Sequence, residues 1–206
     1  ISLLSKRFDQ LRTRHFVNIR GKICAMPTPF THLEISQRLL DDPQIPSEFR
    51  ADLQAQMPAY LLGGIAADAR VGSGAKRFTT HFYDYTEPIP EPPWRVMVRR
   101  NPDLMQPDNP ALRAFVAAYV AHLSVDEVWS LRLVRPHFGL REWADRMERF
   151  FILHILLTYM DERDYARIAP FVSEQLPHAQ PANWLAFITD HDLCGWRDLI
   201  QQQIAP

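Results

Sequence analysis

Residues 109–134, NPALRAFVAAYVAHLSVDEVWSLRLV, constrain the chain more than any other stretch. Asn109 followed by Pro110 marks a helix start: the amide side chain caps, and the proline takes a position whose N–H has no helical partner. Leu112, Phe115, Tyr119, His122, Asp126 and Trp129 then recur at steps of three and four. At about 100° per residue this is one face of a helix, ended by Arg135-Pro136. The stripe that should be wholly apolar therefore carries an imidazole and a carboxylate one turn apart. Burying both is costly unless something pairs with them. A metal ion is one such partner, since His and Asp four apart on a helix can converge on one centre. A private His–Asp hydrogen bond inside a helical core is the other, and this helix alone leaves both open.

The rest of the sequence sets that helix in an all-α chain. Seventeen prolines against seven glycines divide it into short helices joined by proline-marked turns. RVMVRR at 95–100 is the one alternating, strand-like run. With 206 residues, 47% hydrophobic and 23% charged, the chain is expected to bury one substantial core in a single multi-helical domain. A formal net charge of −1 argues against a general nucleic-acid surface. Cys24 and Cys194 supply neither a disulfide framework nor a zinc-finger spacing. The most apolar run, 150–160, is too short for a membrane span, contains His154, and reads as a helix buried nearly all round. Residues 1–25 are basic and weakly amphipathic and read as an extension outside the core. That leaves 26–206 as the helical domain, with Met26 a candidate start. No apolar run of signal-peptide length occurs near Ile1, which favours a cytoplasmic location.

In chain order, MPTPFTHLEISQRLLDDP predicts a helix capped by Thr31 and ended before Pro43. His32 lies in its first turn, where neutral imidazole is favoured over the cation. Residues 47–56 read as a surface helix and 57–70, MPAYLLGGIAADAR, as a buried one. Gly63 and Gly64 each lower helix propensity there by about 1 kcal/mol, which signals close approach of another backbone. Asp68 closes this stretch, with Arg70 or Lys76 as its plain alternative partner. VGSGAKRF reads as a loop. His81 and Asp84 follow among Phe78, Phe82, Tyr83 and Tyr85, a setting that suits a satisfied core histidine as well as a ligand. EPIPEPPW, 87–94, is an extended connector and a candidate rim. Residues 139–161 predict the next helix, and ARIAPFVSEQL, WLAFI and DLCGWRDLIQQQI predict short C-terminal ones. No internal repeat, phosphate-cradling glycine loop or GxSxG motif occurs.

His32, Asp68, His81, His122 and Asp126 are metal-ligand types in the order H-x35-D-x12-H-x40-H-x3-D. With the blocks THLEISQRLL, LLGGIAADAR, THFYD and AHLSVDEVW, spread over residues 26–130, this order resembles the zinc-dependent phospholipase C family. PFTHLEISQRLL also resembles the opening of the amino-terminal domain of glycosylphosphatidylinositol-specific phospholipase D. The resemblance implies a helical domain of the zinc-dependent phospholipase C type that hydrolyses phosphodiesters at zinc. It implies that Asp68, His81, His122 and Asp126 hold one ion, and that Asp126 bridges to a second shared with His32. It makes Asp68 the residue that orients or deprotonates the attacking water. The family's further ligands are matched less fully. Met26-Pro27 precedes the first block where the family has an amino-terminal tryptophan, and Arg132 stands where a histidine falls. His154 corresponds to a later ligand, but Thr158 replaces the glutamate four residues on. One or two zinc ions are expected rather than the family's three.

Three readings follow. The first is a phosphodiester hydrolase acting on a phospholipid head group or similar small ester, with peripheral contact to a lipid surface. Lys76, Arg77, Arg99 and Arg100 are its candidate phosphate contacts, and Phe82, Tyr83, Tyr85 and Trp94 its candidate pocket walls. Solvated surface charge and ordinary packing are the respective alternatives. The second reading is a single-strand nuclease-like phosphodiesterase, which uses the same metal geometry with stacking aromatics. The third is a helical domain that binds metal without turnover, or whose polar cluster only holds helices together.

Overall fold

The computed structural model describes residues 26–84 and 87–204; residues 1–25, expected to be an extension, with Cys24 among them, and Tyr85 lie outside the described residues. The described chain is all-helical. Helices α1 (Pro29–Asp41), α2 (Ser47–Ala55) and α3 (Met57–Ile65) are followed by a 3-10 turn at Ala66–Ala69. Two short helices come next, α4 (Arg70–Ser73) and α5 (Arg77–His81), then α6 (Pro93–Arg100) and the central α7 (Pro110–Trp129). A π-helix, Ser130–Leu140, continues α7, and α8 (Arg146–Gln175) and α9 (Asp190–Ile204) complete the fold.

Helix α7 starts as its sequence dictates: the Asn109 side chain accepts from the N–H groups of Ala111 and Leu112, 2.9 and 3.2 Å away. Phe115, Tyr119, His122, Leu123 and Asp126 are buried along its inner face. Helix α3 lies on it with almost no gap. A Cβ at Gly63 would fall 2.1 Å from the Phe115 carbonyl oxygen, and one at Gly64 would fall 2.7 Å from Ser36 Oγ on α1. The adjacent glycines are thus what lets α1, α3 and α7 meet, as their place in an apolar helix predicts. The Tyr60 hydroxyl ties the junction by donating to the Ser36 carbonyl at 2.9 Å.

Helix α1 is held from its other side by a polar ladder. Thr28 donates to Asp161, Thr31 to Asp164 at 3.0 Å, and Arg167 to Glu34 at 2.9 Å. Each rung spans an offset of 133 residues, so α1 and α8 run parallel, in register every third residue. Phe30, Leu33, Leu61, Leu62, Ile65, Phe115, Leu123, Ile168, Leu176, Leu193 and Ile200 close the main core between these helices and α9.

Several local expectations are corrected. Thr31 does not cap α1; Pro29 begins the helix after Thr28, and the Thr31 hydroxyl is committed to Asp164 instead. RVMVRR is helical: Pro93 starts α6, and Pro93, Val96 and Met97 are buried at helical spacing. VGSGAKRF is mostly helical, in α4 and α5. Pro136 does not end the central rod, because the turn has widened to π geometry six residues earlier. That widening moves the carbonyl four residues back away from the proline ring. Helix α8 begins at Arg146, capped by Asp145, and runs through ARIAPFVSEQL as one element; WLAFI is not helical. The apolar run 150–160 is not buried all round: Leu153 and Leu157 pack against Val134 and Phe138, while Phe151, Ile152, Ile155, Leu156 and Tyr159 are exposed. Among the described residues no helix is long and apolar enough to cross a membrane.

Candidate metal centre

Four elements carry the sequence-predicted ligands to one point. His32 comes from the first turn of α1, Asp68 from the 3-10 turn after α3, and His81 from the last residue of α5. His122 and Asp126 come from successive turns of α7. Asp126 lies at the middle: its Oδ1 is 3.4 Å from His32 Nε2, and its Oδ2 is 3.4 Å from His81 Nε2 and 3.9 Å from His122 Nε2. Asp68 Oδ1 is 3.3 Å from His81 Nε2. The His32 and His122 rings stack, with centroids 3.7 Å apart and planes 13° from parallel. Two triplets have ligand atoms that all lie within 4.8 Å of one another, His32–Asp68–His122 and His81–His122–Asp126.

The backbone decides which way one imidazole faces. His122 Nδ1 is 2.8 Å from the Gly64 carbonyl oxygen, one of the last carbonyls of α3 and without a partner in that helix. A carbonyl only accepts, so Nδ1 carries the proton and Nε2 presents a bare lone pair. That lone pair points among carboxylate oxygens, which are acceptors too. His81 Nδ1 is 2.9 Å from Thr80 Oγ1, a partner that serves either tautomer. The Tyr119 hydroxyl donates to the Thr80 carbonyl at 2.8 Å and so fixes the end of α5 against α7. Phe82 then takes a left-handed conformation at φ 63°, rare for a bulky residue. Its ring, buried on Phe187 at 5.2 Å between centroids, holds the turn that aims His81 inward.

The cluster is short of donors. His32 Nδ1 and Nε2, His81 Nε2, His122 Nε2 and Asp126 Oδ1 are buried with no hydrogen-bond partner among the described residues. A buried group left in this state costs about 1–3 kcal/mol. Protonation does not relieve it. Burial, then the Arg77 charge, pushes His81 down to about 4; burial, then His32, pushes His122 down to about 3. Both imidazoles are therefore neutral at pH 7, the form that ligates. Burial would raise the two carboxylates, but contacts with His81 for Asp68, and with His32 and Arg77 for Asp126, hold both below the usual range. Neutral imidazoles, ionised carboxylates and missing donors fit a divalent cation.

Arg77 supplies the nearest fixed positive charge, and it is not the solvated surface charge that is the alternative to its reading as a phosphate contact. It is buried, with Nη2 2.5 Å from Asp126 Oδ2 and 2.9 Å from the Tyr83 hydroxyl, and its guanidinium lies 4.8 Å above the Tyr83 ring. A signal was present, because Arg77 precedes His81 by one helical turn and shares its face. Phe82 and Tyr83 are buried, Phe82 against Phe187 and Tyr83 against Arg77. Lys76, Arg99 and Arg100 are exposed, and Arg99 pairs with Glu91 at 2.6 Å. His154 is half-buried on α8 and belongs to neither triplet. Asp68 alone reaches solvent: its side chain is 18% exposed, against 1% or less for His32, His81, His122 and Asp126. A cleft of about 250 Å³ lined by Phe49, Leu53, Gln56, Pro110 and Arg113 lies at the opposite end of α7 and touches no ligand.

Comparison of the chain with protein-family models, with curated proteins and with solved structures gave no match. The all-helical fold and the His/Asp cluster able to hold a metal ion are therefore what is established.

Proposed function

We propose that this chain is a metal-dependent phosphodiester hydrolase, with zinc held by residues drawn from His32, Asp68, His81, His122 and Asp126. The observation that carries the reading is the bare His122 lone pair, fixed by the Gly64 carbonyl and facing carboxylate oxygens inside a buried core. An imidazole-rich N/O donor set suits zinc better than the hard cations that select all-oxygen cages. Zinc bound there supplies Lewis acidity toward a phosphoryl oxygen and lowers the pKa of water.

The chain's own residues have distinct parts. His122 and His81 would hold the ion through Nε2, each oriented by the partner on its Nδ1, and the His32 ring stacks on that of His122. Asp68, the one member open to solvent, would orient a water molecule and accept its proton. Arg77 keeps Asp126 ionised. The resemblance of the ligand order and its flanking blocks to the zinc-dependent phospholipase C family is what supports a phosphodiester, including a phospholipid head group, as the substrate class.

The test is hydrolysis of bis(4-nitrophenyl) phosphate, of phosphatidylcholine vesicles and of a single-stranded oligonucleotide by zinc-loaded protein. The reading predicts phosphodiester turnover lost on chelation and reduced at least 100-fold in Asp68→Asn. No turnover of any of the three by protein that holds zinc would refute it. That result would leave a second reading, a structural metal site, which the near-complete enclosure of the cluster favours: structural sites are closed, catalytic ones keep an open position.

A further inference from the structure

The centre has a feature that bears on how many ions it takes. His122 belongs to both triplets, yet its Nδ1 is committed to the Gly64 carbonyl and one lone pair serves one ion. The triplets are therefore alternatives. A second ion would be left with His32, the unpartnered Asp126 Oδ1 and whatever Asp68 can share.

Arg77 stands against that second ion. Its guanidinium sits on Asp126 Oδ2 at 2.5 Å, held from behind by the Tyr83 hydroxyl, and because it cannot lose its proton its positive charge stays beside the cluster. Charge arithmetic agrees. Asp68 and Asp126 contribute two negative charges, Arg77 one positive charge, and ligating imidazoles none, so the empty set carries −1. One divalent ion takes it to +1, which a singly charged anion neutralises. Two would take it to +3 in a region where the most open side chain is 18% exposed, and uncompensated charge of that size is strongly disfavoured away from water.

We infer that the centre is mononuclear and that Arg77 serves as its second fixed cation, matching the site to a phosphodiester monoanion rather than a phosphomonoester dianion. The inference rests on the metal-centre reading above. Arg77 is a positioning residue here, acting through Asp126 and through the charge of the cluster.

The experiment is zinc stoichiometry, by calorimetric titration and by elemental analysis after desalting, on the wild-type chain, Arg77→Gln and Arg77→Lys. Circular dichroism confirms that each is folded. The expected result is one ion per chain in wild type, a second and weaker ion in Arg77→Gln, and one in Arg77→Lys, which keeps the charge. Two ions in wild type overturn the inference while sparing the metal centre, and this arm holds even if Arg77→Gln does not fold. One ion in a folded Arg77→Gln also overturns it. No ion in wild type is a different failure, that of the metal-centre reading itself.

Discussion

Asp161 offers a quantitative test of how helix α1, and with it His32, is docked. It is buried beside Asp164 on α8 and tied to Thr28 at the first rung of the ladder. Burial, then the Asp164 charge, raises its pKa from 3.8 to about 8. A carboxyl whose pKa is raised on folding binds its proton more tightly in the folded chain. The stabilisation this gives is complete below about pH 4 and is lost as pH rises toward 8. Asparagine imitates the protonated acid, keeps an oxygen for the Thr28 hydroxyl and never ionises. At pH 7 the unfolded wild-type chain gains roughly three pH units of ionisation that Asp161→Asn does not, at about 1.4 kcal/mol per unit. The variant should therefore be more stable by about 4 kcal/mol at pH 7, and by less than about 1 kcal/mol at pH 4. Urea denaturation at the two pH values measures both. A variant no more stable than wild type at pH 7, or a gap that does not shrink on acidification, would refute the buried-acid argument.

Zinc at about 1,000 times its dissociation constant should stabilise the fold by about 4 kcal/mol. For a chain of this size that raises the melting temperature by about 8–16 °C, and differential scanning fluorimetry with and without chelator reads it. Gly63→Ala should unfold at lower denaturant, by about 1–3 kcal/mol or more, because the new methyl meets the Phe115 carbonyl at 2.1 Å. Thr80→Val removes the partner of His81 Nδ1 and should weaken zinc binding about 10–100-fold in competition with a chelator. Unchanged values in any of these would count against the contact invoked.

The parts of this molecule legible in the sequence are those decided by one segment. Asn109-Pro110 and the stripe from Leu112 to Trp129 specify α7 because cap and periodicity are local. Gly63-Gly64 in an apolar helix announced a backbone contact because few other pressures put adjacent glycines there. His32, Asp68, His81, His122 and Asp126 stood out as polar groups on apolar faces, and the fold brings all five together. The misreadings arose where distant partners decide. Thr31 looks like a cap, but an aspartate 133 residues away takes its hydroxyl. Arg77 looks like a surface charge until α5 turns it onto Asp126. RVMVRR alternates like a strand, yet Pro93 and the burial of Val96 and Met97 make it a helix. The run 150–160 reads as buried all round, but Leu153 and Leu157, with Phe150 beside them, pack against the π-helix while Phe151, Ile152, Ile155, Leu156 and Tyr159 are exposed.

The central claim is that the buried His/Asp cluster is a metal centre, and metal content tests it most directly. Elemental analysis of purified wild-type protein and of His122→Ala, each stripped with chelator, resupplied with zinc and desalted, compares the two. The account predicts one tightly held ion per wild-type chain and none in the variant, which has lost the lone pair that the Gly64 carbonyl fixes. No ion in wild type after resupply, or equal content in both proteins, would contradict it.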